Sequence, residues 1–112
     1  MESVLNSIKK LLGIEESYTH FDADIITHIN SVLFTMDQLG IERPTNRNVT
    51  SYIDTWTDIF GESSKVDADT LKTYVYLKVR LLFDPPASSF VLESIDRQIK
   101  EYEWRLNIQA EK

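Results

Sequence analysis

Two histidines and two aspartates near the start of the second apolar segment are the residues whose types and spacing best suit chemistry. They are His20, Asp22, Asp24 and His28. In a helix, Asp24 and His28 share one face, because residues four apart are neighbours there. A metal site normally needs three or four protein ligands and supporting second-sphere bonds, and no further ligand cluster is visible. The two acids also suit the first turn of a helix through its dipole. We therefore predict no metal.

Paired carboxylates are the other candidates for catalysis, since two nearby acids can act as general acid and general base. The nearest pairs are Glu15/Glu16, Asp67/Asp69 and Glu101/Glu103. All are explained more simply as helix-terminal or solvated charges. The sequence has no nucleophile elbow, Walker-type loop or dinucleotide-binding glycine motif. We therefore predict a protein that is not an enzyme and binds no cofactor.

The composition points to one folded domain over residues 1–112, with 42% hydrophobic residues and a net charge of −6. The absence of cysteine excludes disulfides and thiolate metal sites. No apolar run approaches the ~20 residues that a membrane span needs, so no membrane partner is expected. No segment is net basic, which argues against nucleic-acid binding. An acidic chain without a catalytic signature is expected to bind other proteins.

Hydrophobic periodicity predicts an all-α fold, a small antiparallel bundle of four main helices. The predicted helices span about 3–12, 20–39, 67–83 and 89–106. The first should end at Gly13 in a left-handed C-cap. The second should open at Thr19, with Asp22 in the capping-box position. These local signals set the bounds of the first two helices.

The third and fourth helices are separated by residues 84–86, Asp-Pro-Pro, because an X-Pro step moves the preceding residue out of the helical region. Asp67 is the expected N-cap of the third helix. The third helix is apolar almost all round, which indicates a helix that is central to the fold or buried by partners as well. Ser88 or Ser89 should cap the fourth helix, whose apolar face includes Val91 and Leu92. The tail from residue 107 onward is expected to fray.

Residues 41–66 form a long middle loop with little regular pattern. Residues 49–52 could form a short strand or part of a hairpin, and residues 54–60 a short helical turn. Trp56 and Phe60 suggest that part of this segment folds back and packs. Loops of this length in compact domains are usually functional or mobile.

Lys78 interrupts the apolar face of the third helix, and three interpretations are open. Its stem could lie on the core with the ammonium at the edge. It could form a buried ion pair with an acid of the second or fourth helix. Alternatively, Lys78 and Arg80 could meet carboxylates of a neighbouring subunit.

Trp104 falls outside the apolar face of the fourth helix. Aromatic and arginine side chains are favoured interface anchors, so Trp104 with Arg105 is a candidate docking element. Packing of Trp104 into a side groove of the core is the alternative. The candidate protein-interaction residues are Trp56, Lys78, Arg80, Trp104, Arg105 and Leu106.

Residues 71–107 closely resemble the head–tail connector (head-completion or adaptor) proteins of tailed bacteriophages and prophages of Gram-positive bacteria. Their sequence is LKTYVYLKVRLLFDPPASSFVLESIDRQIKEYEWRLN. The strongest signature is VRLLFDPPASSF at residues 79–90. The segments NSIKKLLGI, DADIITHINSVLFTMDQLGI and TWTDIFG are similar to the same family.

The resemblance implies a non-catalytic virion protein that is made in the bacterial cytoplasm. It self-associates into a dodecameric ring beneath the portal, through which DNA passes without sequence-specific contacts. The ring extends the DNA channel and offers a surface to the next head-completion (stopper) or tail protein. On this interpretation residues 104–112 dock to the portal, residues 42–64 reach the next ring or the neighbouring subunit, and Arg80 carries subunit contacts.

Two alternatives belong to other functional classes. A small helical regulatory or inhibitor module would bind a single protein partner and have no affinity for portal. A metal-dependent enzyme would use the histidine and aspartate set described above, and its metal binding would be lost on His28→Ala.

Overall fold

The computed structural model describes residues 2–41, 43, 47–61 and 67–111, with side chains to residue 109. The helices are α1 Val4–Leu12, α2 Asp22–Gln38, α3 Trp56–Phe60, α4 Ala68–Phe83 and α5 Ser89–Glu111. Within the described ranges the only β pairing is an isolated bridge between Ser3 and Thr55. The predicted all-α bundle of four main helices is confirmed, and the middle segment contributes the short α3.

Helix α4 lies at the centre of the fold and packs against α1, α2 and α5. Its buried residues are Leu71, Tyr74, Val75, Leu77 and Val79. Because three helices surround α4, several of its faces must be apolar. The apolar faces of α4, which could have indicated contacts with other subunits, are therefore largely buried by helices of this chain.

The long helices alternate in direction around α4. The Phe21 ring, just before α2, lies 5.4 Å from the ring of Phe83 at the end of α4, so α2 and α4 are antiparallel. Near the end of α5, the Gln109 Oε1 accepts a 3.3 Å hydrogen bond from the backbone N–H of Asp67, just before α4. Helix α5 is therefore also antiparallel to α4. No helix in the described ranges is long and apolar enough to cross a membrane.

Helices α1 and α2 both end at a left-handed glycine, as predicted for Gly13. Gly13 has φ 82°, and the N–H of Ile14 donates to the carbonyl of Lys9 at 2.8 Å. Gly40 has φ 89°, and the N–H of Ile41 donates the equivalent hydrogen bond to the carbonyl of Met36 in α2. The glycine permits the positive φ, and the following isoleucine covers the helix end.

The predicted start of the second helix is wrong. Helix α2 begins at Asp22, and Phe21 is the capping residue without a side-chain hydrogen bond. The carboxylate of Asp22 lies 2.8 Å from the Nζ of Lys9, so it is not used in a local capping box with Thr19. A tertiary ion pair has replaced the expected local bond.

The predicted fraying of the tail from residue 107 is wrong as well, because α5 continues to Glu111. Leu106 is buried, and the bond from Asp67 to Gln109 fixes the following turn. Ser88 supplies the expected cap through its hydroxyl, which accepts a bond from the N–H of Val91.

The middle segment differs from the sequence prediction in its first half. No strand forms at residues 49–52; instead, the amide of Asn30 pairs with both backbone groups of Val49, at 2.8 and 2.9 Å. The predicted helical turn is confirmed as α3, which Thr55 and Asp58 close with a capping box. The parts of the predicted loop at residues 42, 44–46 and 62–66 lie outside the described residues.

Candidate functional site

The histidines and aspartates that suited a metal are engaged in other contacts or lie apart. Asp22 pairs with Lys9, the His20 ring lies 4.8 Å from the ring of Phe21, and the His28 ring lies 6.3 Å from that of Phe83. Among the residues that the structure describes, no group of three or more histidines and acids could hold a metal ion.

Lys9 is a buried cation that the sequence analysis placed only at a helix end. Its side chain is 1% exposed, and Nζ donates to the carbonyl oxygens of Glu16 and Tyr18 at 3.0 and 2.8 Å. With Asp22 it therefore holds the loop between α1 and α2 against the end of α1. In the sequence, Lys9 lies four residues after Leu5 and therefore within the apolar face of the helix, and this position could have indicated its burial.

Two of the six candidate interaction residues belong to the core of this chain. Trp56 is stacked on Phe60, with 6.1 Å between ring centroids, and its indole N–H donates to the hydroxyl of Ser7 at 3.0 Å. Leu106 is fully buried. Both side chains pack within this chain and stabilise its fold.

Lys78 and Arg80 are half-buried on α4. Lys78 Nζ lies 3.9 Å from Glu103 Oε2 on α5, which corresponds to the ion-pair interpretation but at the edge of the core. The Tyr74 hydroxyl donates to the same oxygen at 2.7 Å. Burial raises the pKa of Tyr74, and the bond to Glu103 and its negative charge raise it further. Arg80 donates to the Tyr76 hydroxyl at 3.2 Å.

Trp104 lies on the outer side of α5 and is 65% exposed. Glu103 contacts α4 and Leu106 is buried, and Trp104 lies about 100° and about 160° around the helix from these two residues, so it is directed away from α4. Arg105 donates to Glu101 at 2.7 Å. We name the exposed residues Glu101, Trp104 and Arg105 the α5 surface.

A second exposed apolar area lies where α4 ends and α5 begins. An open groove of about 510 Å³ is lined by Leu81, Leu92, Glu93, Asp96 and Arg97. We call this feature the groove. Leu92 and Val91 were expected to face the core, yet both are exposed. Helix α5 packs mainly against α4, so the described chain leaves the first turn of its apolar face uncovered.

A third exposed apolar area is the turn at Tyr52 and Ile53, which we call the tip. Both side chains are more than half exposed. The Asp54 carboxylate builds the turn by accepting bonds from the backbone N–H and hydroxyl of Thr50 and from the guanidinium of Arg47. Burial raises the pKa of Asp54, but these bonds and the Arg47 charge outweigh it, so the pKa lies below its usual value. In the sequence, the Thr, Ser and Asp residues of this segment could have indicated the turn, because these residue types favour turns.

The chain matches a known protein family. Residues 4–112 match a family model described as phage connector protein. No curated protein and no solved structure matches the chain. The matched range includes helices α1 to α5, so the α5 surface, the groove and the tip all lie within it.

Proposed function

Because this chain belongs to the phage connector protein family, we propose that it is a structural head–tail connector that assembles as a ring beneath the portal. The ring extends the DNA channel and gives the next head-completion (stopper) or tail protein a docking surface. The protein is then a virion component at the head–tail interface, assembled in the cytoplasm of a Gram-positive host. The family match over residues 4–112 is the observation that carries this proposal.

The α5 surface is the proposed docking site for the portal. Interface energy is concentrated in a few residues, and tryptophan, tyrosine and arginine are enriched among them. Trp104 and Arg105 are adjacent and exposed on a helix that packs mainly against α4. The Tyr74–Glu103 bond supports this assignment, because it fixes the rotation of α5 and so directs Trp104 away from the core.

The charge of the chain supports the passage of DNA through the ring. Protein–DNA affinity comes largely from lysine and arginine neutralising phosphates. This chain has 12 basic and 18 acidic side chains. A ring of such subunits therefore has little non-specific affinity for DNA, which favours sliding over binding.

Binding to portal tests the proposed function directly. Purified chain is mixed with its portal protein, and the products are followed by native mass spectrometry and negative-stain imaging. We expect a ring on the portal. A persistent monomer without a complex would contradict the proposal, and a small complex with an unrelated protein would instead indicate the regulatory module.

The docking assignment is tested by Trp104→Ala. Loss of an interface anchor typically costs ~2 kcal/mol or more, so the portal affinity should fall by at least ~25-fold. Phe34→Ala on α2 is the matched control, because Phe34 is 62% exposed and should not affect portal binding. Equal portal affinities for the two variants would exclude the α5 surface as the docking site.

A further inference from the structure

The tip and the groove lie at opposite ends of α4. Next to the tip, the Asp54 carbonyl accepts a 3.0 Å bond from the N–H of Val4. Glu2 pairs with Lys72 near the start of α4 at 2.7 Å. The groove is lined by Leu81 near the end of α4. At ~1.5 Å per residue, Lys72 and Leu81 are ~14 Å apart along the helix. The tip of one chain is therefore too far away to fill its own groove.

The two surfaces are complementary in chemistry. Leu81 and Leu92 give the groove an apolar lining, which suits the aliphatic side chain of Ile53. Its polar lining, which we call the rim, contains Glu93, Asp96 and Arg97, and Asp96 pairs with Lys100 at 3.1 Å, so the rim offers carboxylate acceptors without a net charge. A hydroxyl donor from Tyr52 suits such a rim.

Charge adds to this complementarity at the base of the tip. The Arg47 guanidinium pairs with Asp54 but remains about half exposed. The exposed N–H groups of Arg47 suit a carboxylate of the rim on another chain, which favours association in one orientation. The volume of the groove, about 510 Å³, lies in the range of pockets that enclose small organic molecules, so two side chains fit.

The tip is ordered before it meets a partner. The bonds to the Asp54 carboxylate from Thr50 and Arg47 fix the turn, and a bond between the N–H of Ile53 and the hydroxyl of Ser51 fixes it further. Ordering a loop on association reduces affinity, so a preformed turn avoids that cost. Exposed apolar side chains on a rigid turn are typical of an interaction site.

We propose that neighbouring copies of this chain associate tip to groove, with Tyr52 and Ile53 of one copy seated between Leu81 and Leu92 of the next. This inference rests on the proposed ring, whose subunit contact it specifies. Because the two surfaces differ, the contact is heterologous, and heterologous contacts generate a ring when the rotation closes. The occupant of the groove is therefore a second copy of this chain.

Sedimentation velocity of the full chain over a range of concentrations tests this contact. Ile53→Asp places a charge on the tip, and Leu92→Asp places one in the groove. The two side chains are 68% and 41% exposed, so both variants should fold, which circular dichroism checks. Each should weaken self-association by at least tenfold. Phe34→Asp is the matched control and should assemble like the wild type.

A mixture of the two variants distinguishes tip-to-groove contact from other arrangements. Ile53→Asp retains an intact groove, and Leu92→Asp retains an intact tip. Their equimolar mixture has one usable contact per pair and should give heterodimers but no larger species. Wild-type assembly by either variant, or a mixture that remains monomeric, would overturn the proposal.

Cross-linking provides a readout that also applies to rings formed only on portal. The chain has no cysteine, so Ile53→Cys/Leu92→Cys introduces the only two thiols. A short bifunctional thiol reagent should then give a ladder of covalent oligomers, whereas Phe34→Cys/Leu92→Cys should not. The absence of a ladder from portal-bound rings would overturn the tip-to-groove contact while leaving the ring and portal docking intact. Conversely, a ladder without portal binding would contradict only the proposed function.

Discussion

Replacing Lys9 with methionine should destabilise the protein more than any surface substitution. Methionine keeps an unbranched apolar stem but removes the ammonium group. The change leaves the Asp22 carboxylate without its cation and the carbonyl oxygens of Glu16 and Tyr18 without their buried donor. All three oxygens belong to the segment that connects α1 to α2 or to the first turn of α2.

The size of the loss follows from the burial of the two partners. Removing one member of a buried ion pair costs ~3–5 kcal/mol. Asp22 is 23% exposed and regains some hydration, so the lower end of that range applies. Hydrogen bonds to charged groups contribute ~1.5–3 kcal/mol each, but bonds within one network are not additive. We therefore expect Lys9→Met to lower the free energy of unfolding by ~3 kcal/mol.

Urea denaturation followed by far-ultraviolet circular dichroism measures this loss. With an m value of ~1–3 kcal/mol per molar, the midpoint should fall by ~1–3 M. Lys10→Met is the matched control, because it removes the same charge from the adjacent, exposed position at the same helix end. Its cost should be ~0.3–1 kcal/mol through the helix dipole alone. If the two variants unfold at the same urea concentration, the buried ammonium does not stabilise the loop as described.

Two further predictions concern the groups that fix α5 and the tip. Tyr74→Phe removes the donor to Glu103 and should lower the free energy of unfolding by ~1 kcal/mol in urea titrations; an unchanged midpoint would exclude a stabilising bond. The pKa of Asp54 is lower in the folded state than in the unfolded state. The Asp54 carboxylate therefore contributes its full stabilisation above the ordinary aspartate pKa of ~4. This stabilisation is lost as pH falls through the folded-state pKa. Urea midpoints measured from pH 7 to pH 2.5 should therefore fall more steeply below pH ~4 for the wild type than for Asp54→Asn. If the midpoints of both proteins fall equally with pH, ionised Asp54 does not stabilise the fold.

Much of the fold could be predicted because its signals are local. Apolar residues at helical spacing identify the four main helices, and Gly13 and Asp67 act through bonds to residues only a few positions away. The paired prolines exclude continuation of α4 without reference to the rest of the chain. Features of this kind depend little on tertiary packing.

The parts that could not be predicted depend on contacts between distant segments. Lys9 lies within the apolar face of α1, but only the loop folded against that face supplies the partners that bury its ammonium group. Residues 49–52 have a strand-like composition, but a strand needs a partner edge. Here the side-chain amide of Asn30 bonds to Val49 in place of such an edge. Sequence spacing does not contain this information.

The candidate site could be predicted only in part for a related reason. Trp56 and Trp104 are equally good interface anchors by residue type, yet one is stacked in the core and the other is 65% exposed. Leu92 continues the apolar face of α5, and it is exposed because no helix in the described part of the chain covers it. Residue type indicates that a side chain suits an interface, whereas packing determines whether it is available.

The central position of α4 also has a consequence for assembly. Because α4 is surrounded by α1, α2 and α5, the exposed apolar side chains at the tip and the groove lie near its two ends. A ring built by such unlike contacts has rotational symmetry without a twofold axis in its plane, so its two faces differ. The proposed function needs this property, since one face is proposed to bind the portal and the other the next completion or tail protein. Self-association through two identical patches would instead give a closed dimer, which cannot surround DNA as a ring.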